Sequence, residues 1–310
     1  MTVKRLPSLK LNFKNVLKST LKNLKRRLRL NNSFKKSNRF SMKNILFLSI
    51  IGILTPSALV FAQKPDPKMT YSSKSPFGIS DAAQFDKLLK VVEGIGTSAK
   101  DALAEQSLKS YMMPPRRSGS SAPSATYALA SCLEFYINLN NNYKDNLSPD
   151  FIKLSLPNTA TVEDNLTFLA ATGTVSAAIL PFESPNLTPS VYSSVKYKIQ
   201  NYLKLFQSTT RPQQKIYDIK KAVMRGNPVV IELQVTAEFK NLKQARFYDP
   251  KQGDKTAAGT QHLVVVGYDE ERRAFELQNA WGREWGNGGY VWMSYDDLSN
   301  LATNGYVLLL

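Results

Sequence analysis

The stretch ATYALASCLEFYINL, residues 125–139, is apolar on nearly every side. A helix with that pattern has no face that prefers water, so other elements must enclose it. Any fold for this chain is therefore built around it. The segment before it, MMPPRRSGSSAPS, is dense in Pro, Gly and Ser and reads as a loop. Pro123, immediately before Ser124, suits a helix start, where a missing N–H costs nothing.

Three more segments have helical spacing. SDAAQFDKLLKVVEGIG opens with Ser80-Asp81 and sets Phe85, Leu88, Leu89 and Val92 on one face. TVEDNLTFLAATG and KIYDIKKAVMRG read as two further helices. From Asn227 the texture changes to short β-rich runs separated by turn residues: PVVIELQV, QHLVVVGYD, AFELQN, GYVWMSY and GYVLLL. Helices first and strands second predict an α+β fold of two lobes, the helical one followed by a mainly antiparallel β lobe.

The formal charge of +17 suggests nucleic acid until it is mapped. Residues 1–41 carry thirteen Lys/Arg and no acid, Lys43 adds another, and the rest of the chain holds only +3. A basic groove on the fold is therefore not indicated, and no nucleic-acid partner is expected. MKNILFLSIIGILTPSALVFAQKPDP has the pattern of a secretory signal, with cleavage after Ala62. Thr55-Pro56-Ser57 interrupts its apolar run, which argues against a membrane span. The expected organisation is a basic leader at 1–41, either the product of an upstream start codon, the preferred reading, or a long n-region lying on anionic lipid, and a signal peptide at 42–62. A linker or short pro-like segment at 63–104 and one domain at 105–310 follow. The protein is then exported, to a periplasm or outside the cell, with no stable membrane span after cleavage, and is a monomer.

A single cysteine, Cys132, excludes an internal disulfide. One His and one Cys are too few for a zinc site, DPKQGDK falls short of a calcium loop, and no glycine loop suits phosphate. No cofactor is expected.

The one histidine, His262, begins an apolar strand that turns at DEERR into a strand ending at Asn279. A hairpin centred on that turn makes Asn279 a diagonal neighbour of His262 on one sheet face. The inference depends on register to a single residue. An imidazole held by an amide oxygen is the orienting half of a nucleophilic catalytic set, whose nucleophile belongs at a helix N-terminus.

QHLVVVGYDEERRAFELQNAWGREWGNGGYVWM resembles the C-terminal signature of the papain-like cysteine peptidases: His before an apolar strand ending Gly-Tyr-Asp, then Asn-x-Trp-Gly, Trp-Gly and Gly-Tyr. IYDIKKAVMRGNPVVIEL, NLSPDF and TVEDNLTFLAATG are similar to other segments of bacterial members, so the likeness spans roughly 105–300. By that resemblance His262 is the general base, Asn279 orients it, and Trp281 shields their bond. Gly282, Trp285, Gly286, Gly289 and Tyr290 shape the following turn and strand. The family's nucleophile motif, Gln-Gly-x-Cys-Gly-Ser-Cys-Trp, has its counterpart in SGSSAPSATYALASCLEF, anchored by Gly119 and Leu133-Glu134. Ser124 then takes the nucleophile position, Ser118 replaces the oxyanion-hole Gln, and Ala125 replaces the Trp. The rival alignment makes Cys132 the nucleophile, but two turns inside a helix, without the dipole that lowers a thiol pKa.

A thiol beside His at a helix N-terminus ionises in advance, whereas an alcohol loses its proton only during attack. Asn279 is neutral, and the short Ser118 hydroxyl is a poor substitute for the Gln amide. The resemblance thus implies a catalytically degenerate peptidase that keeps a cleft for an extended peptide or protein ligand. The alternative is a working hydrolase or acyltransferase that uses Ser124, His262 and Asn279.

Overall fold

The computed structural model describes residues 76–95, 101–118, 123–250 and 257–310. The leader, the signal with Ala62 and most of the linker lie outside the described residues, as do Gly119 and most of DPKQGDK.

Among the described residues six helices have seven residues or more: α1 (Ala82–Leu88), α2 (Ser124–Asn141), α3 (Pro149–Ser155), α4 (Val162–Ala171), α5 (Pro212–Met224) and α6 (Tyr295–Leu301). The apolar stretch is α2, and it is enclosed as its composition requires. Tyr127, Leu129, Cys132, Leu133 and Phe135 are all fully buried, on different sides of the helix. Its start has Pro123 at the N-cap with no capping side chain, so the first N–H groups stay available. Its end is Asn142 in the left-handed region, φ 51°. By contrast α4 is closed by a full capping box between Thr161 and Asp164.

The strands are β1 (Glu105–Ser107), β2 (Asn201–Phe206), β3 (Val229–Thr236), β4 (Phe247–Tyr248), β5 (Ala257–Asp269), β6 (Ala274–Gln278), β7 (Tyr290–Ser294) and β8 (Ala302–Leu309). They form one sheet in the order β2-β8-β3-β5-β6-β7-β4, with β1 on the far end of β5. Every pairing is antiparallel except β4 with β7. β5 is the spine: it pairs with β3, β6 and β1, and α2 packs against it. One hydrophobic cluster joins α2, the other helices and the inner face of the sheet.

Two expectations needed correction. The first helix stops at Leu88, because the Val92 N–H bonds the Arg225 carbonyl at 2.8 Å and draws the chain away from a helical path. Helices and strands are also less segregated than expected. β2, from the unread run NYLKLF, precedes α5, and α6 lies between β7 and β8.

Candidate active site

Ser124 is the first residue of α2, and His262 lies within β5. Packing the helix start against that strand puts Ser124 Oγ 2.8 Å from His262 Nδ1. The His262 backbone N–H also donates to the same oxygen at 3.2 Å. When the hydroxyl donates its proton to Nδ1, the neutral imidazole carries its own proton on Nε2. Nε2 is buried and has no hydrogen-bond partner. Burial holds the imidazole below its ordinary pKa, while the carboxylates of Glu232 and then Glu163 act in the opposite direction. A neutral ring accepting a hydroxyl proton is the resting form of a general base.

Asn279 follows the last residue of β6 and is buried. Its Oδ1 accepts from Gln261 Nε2 at 2.9 Å and from the Ala280 N–H at 2.7 Å, while its Nδ2 is buried without a partner. The amide carbonyl is thus engaged beside the histidine rather than on its ring. A β-bulge explains the placement. Asp269 pairs with Ala274 beside the turn, but the register shifts between Val265 and Gly267, and Gln278 rather than Asn279 faces Val264. A hairpin counted outward from its turn omits that extra residue, and with it the diagonal placement on one face fails.

Cys132 lies in the interior of α2, fully buried, with Sγ 3.8 Å from the Pro228 carbonyl. Burial pushes its thiol far above the ordinary range. The structure thus puts Ser124, and not Cys132, beside the imidazole.

Residues 116–118, upstream of Ser124, bond to the loop that follows Asn279. The Ser118 N–H donates to the Ala280 carbonyl and the Gly282 N–H to the Arg116 carbonyl, each at 2.7 Å, with Arg117 bridging Trp281. Behind them the buried Arg116 guanidinium meets the buried Glu134 carboxylate, which also accepts the Leu147 N–H at 2.7 Å. Trp281 packs edge-on against Phe239 and Trp285, and Trp285 Nε1 donates to the Phe239 carbonyl at 2.8 Å.

An open cavity of about 730 Å³ adjoins the site. Ser124, Gln261, Trp281 and Trp285 line it, with Arg117, Lys240, Lys243 and Glu284 supplying charge. It is therefore an aromatic-floored recess with more basic than acidic groups. Among the described residues no group of three or more His, Cys, Asp or Glu is placed to hold a metal ion. No helix of the described residues is long and apolar enough to cross a membrane.

Sequence reading missed Gln261, Glu232 and the Arg116–Glu134 pair. Gln261 stands next to the histidine and could have been weighed as a competitor for the Asn279 amide. Glu232 interrupts the apolar run PVVIELQV and looks like a solvent-facing position. Only the β3–β5 register, which pairs it with His262, gives it meaning.

Comparison with known proteins bears on the family and the fold. The sequence profile described as papain family cysteine protease matches residues 158–307, a span that begins after the Ser124 helix. Gamete and mating-type specific protein A of Dictyostelium discoideum is 34% identical over 88 residues, 27% of this chain and 19% of that protein. An uncharacterised peptidase C1-like protein of Acanthamoeba polyphaga mimivirus is 31% identical over 124 residues, 38% of each chain. The matched region spans well under half the length of these relatives. Among solved structures, xylellain, a cysteine protease from Xylella fastidiosa, superposes with a TM-score of 0.57 at 20% identity, over 76% of this chain and 96% of that one. Digestive procathepsin L 3 of Tenebrio molitor larval midgut gives a TM-score of 0.55 at 18% identity, over 74% and 79%. These superpositions bear out the expected α+β architecture.

Proposed function

This chain carries, over residues 158–307, a domain of the papain family of cysteine proteases, and we propose that it is a peptide-binding member whose thiol chemistry has been lost. The observation that carries this reading is the Ser124 hydroxyl at 2.8 Å from His262 Nδ1, in the place where a cysteine peptidase needs sulfur. An alcohol has no ionised resting form near neutral pH, so it cannot supply the waiting anion of a thiolate–imidazolium pair. Ser118 in place of the oxyanion-hole amide removes a donor whose loss typically lowers turnover about a hundred- to a thousand-fold. Together these changes take cysteine-type turnover close to background. An extended peptide or protein segment would still lie along the cleft, paired through its backbone, with a side chain in the recess of Arg117, Lys240, Lys243 and Trp281.

The test is peptide hydrolysis by the purified full chain. The natural sequence gives little or no cleavage, and Ser124→Cys restores a measurable rate. Robust cleavage by the natural protein, abolished by Ser124→Ala, overturns the reading. Export belongs to the same proposal, and the secreted form then begins at Gln63. Mass spectrometry that finds residues 1–41 on secreted protein contradicts it.

A second reading, acyl hydrolysis or transfer through Ser124, is favoured by the formed Ser124–His262 bond itself. In that reaction Oγ bonds the carbonyl carbon as its proton passes to Nδ1, with Asn279 as the neighbouring amide. Labelling by a serine-reactive fluorophosphonate, lost in His262→Ala, supports this reading. Absence of labelling in the natural protein excludes it.

A further inference from the structure

We infer that Glu232 is the positioning residue for His262, so that the chain holds a Ser124–His262–Glu232 set with a carboxylate where the family resemblance offers only the Asn279 amide. Three adjacent strands carry the argument. Glu232 of β3 is the register partner of His262 on β5 and of Asn304 on β8. Directly opposed residues of antiparallel strands project to the same face, so Asn304, Glu232 and His262 form one row across the sheet. Asn304 Nδ2 donates to Glu232 Oε2 at 2.8 Å, which orients the acid, and the Thr303 hydroxyl donates to the Glu232 backbone carbonyl at 3.3 Å.

At the ring, Nδ1 is engaged by Ser124, and Nε2 is buried without a partner. The Asn279 carbonyl already takes two N–H donors. Glu232 is thus the acid in direct strand register with the ring. Glu163 of α4 has the smaller influence and is itself bound to Lys204 and Tyr306. Arg117, Lys240, Lys243 and Glu284 line the recess on the Ser124 side.

The chemistry follows from the balance of charge. As Oγ attacks a carbonyl carbon, its proton moves to Nδ1 and the half-buried imidazole becomes a cation. A fixed carboxylate stabilises that cation, and Nδ1 then returns the proton to the leaving amine. A neutral amide cannot provide this charge.

The inference rests on the Ser124 acyl reading, but its experiment also observes the ring directly. The full chain has one histidine, so an isotope-labelled imidazole gives a single NMR titration curve. Glu232→Gln keeps an oxygen for Asn304 and removes the charge. It is expected to move the His262 midpoint downward, Glu232→Asp to restore it, and Glu163→Gln to move it less. In a second arm, fluorophosphonate labelling of Ser124 at pH 7 is expected to slow roughly tenfold or more in Glu232→Gln, and to recover in Glu232→Asp. Circular dichroism checks that each variant is folded. A midpoint and a labelling rate both unchanged in Glu232→Gln overturn the role of Glu232 while leaving Ser124 as nucleophile. A natural protein that never labels, with a midpoint that still falls in Glu232→Gln, sinks the acyl reading and keeps the Glu232–His262 pairing.

Discussion

The Ser118 N–H donates to the Ala280 carbonyl at 2.7 Å, and this bond joins the approach to the Ser124 helix to the loop that follows Asn279. With the Gly282 N–H on the Arg116 carbonyl it makes a short two-stranded clamp across the site. Ser124 and His262, which meet beside it, are 138 residues apart in sequence.

Gly282 holds the clamp in a backbone conformation with φ +85°. A Cβ there would lie 2.7 Å from Glu284 Oε2 and 3.4 Å from Arg117 Cβ. Gly282→Ala is therefore expected to cost about 1–3 kcal/mol, mostly as left-handed backbone strain. Urea unfolding measures this cost. A variant as stable as the natural protein means that the turn accommodates a side chain after all.

Arg116 and Glu134 are a second support, 8% and 1% exposed. Taking away one partner of a buried pair strands the other charge without water. Arg116→Met is expected to lose about 3–5 kcal/mol, and Arg116→Met with Glu134→Leu to lose less than Arg116→Met alone. Chemical denaturation of the two variants decides it. If the double variant is the worse, the bond from Glu134 to the Leu147 N–H outweighs the ion pair.

Sequence alone made the outline of this site legible, though not its wiring. The enclosed helix could be read because ATYALASCLEFYINL leaves no polar face, and Ser124 because Leu133-Glu134 fixes its offset along that helix. His262 was legible because a unique imidazole sat in a long, gapless motif. The Asn279 contact was less so, because a bulge between Val265 and Gly267 leaves no mark in residue type. Glu232 was invisible for a related reason: β3 and β5 are joined by a long connection, and no count of residues across it sets their register. The strand NYLKLF lacked the β-branched residues that mark most strands, and it owes its place to pairing with the C-terminal β8.

Cys132 is predicted to be silent in the native protein. A thiol reagent in large excess should leave the folded chain unmodified and label it stoichiometrically in denaturant, because the sulfur is fully enclosed and burial disfavours its thiolate. Ser124→Cys adds one fast-reacting thiol to this background. Rapid native labelling of the unsubstituted protein would show Cys132 to be accessible.

The pH dependence of stability should carry the mark of His262. Burial depresses the folded-state pKa of the imidazole below its ordinary value. Between that depressed value and the unfolded value of roughly 6.5, the unfolded chain binds more protons than the folded one. Stability therefore falls as pH drops through about 6.5 and keeps falling until the folded ring also protonates. Above about pH 7 the ring is neutral in both states and contributes no slope. Asp150 and Asp218, whose carboxyls burial raises, add slopes of their own at lower pH, so the comparison has to be between variants. Urea midpoints measured from pH 8 to pH 5 should decline more steeply for the natural protein than for His262→Gln, which cannot titrate. Glu232→Gln should decline more steeply still, because removing the carboxylate widens the gap between the folded and unfolded pKa values. Parallel curves for the natural protein and His262→Gln would mean that the imidazole is solvated in the folded state, and the Ser124–His262 bond would then lack the enclosure that keeps the ring neutral.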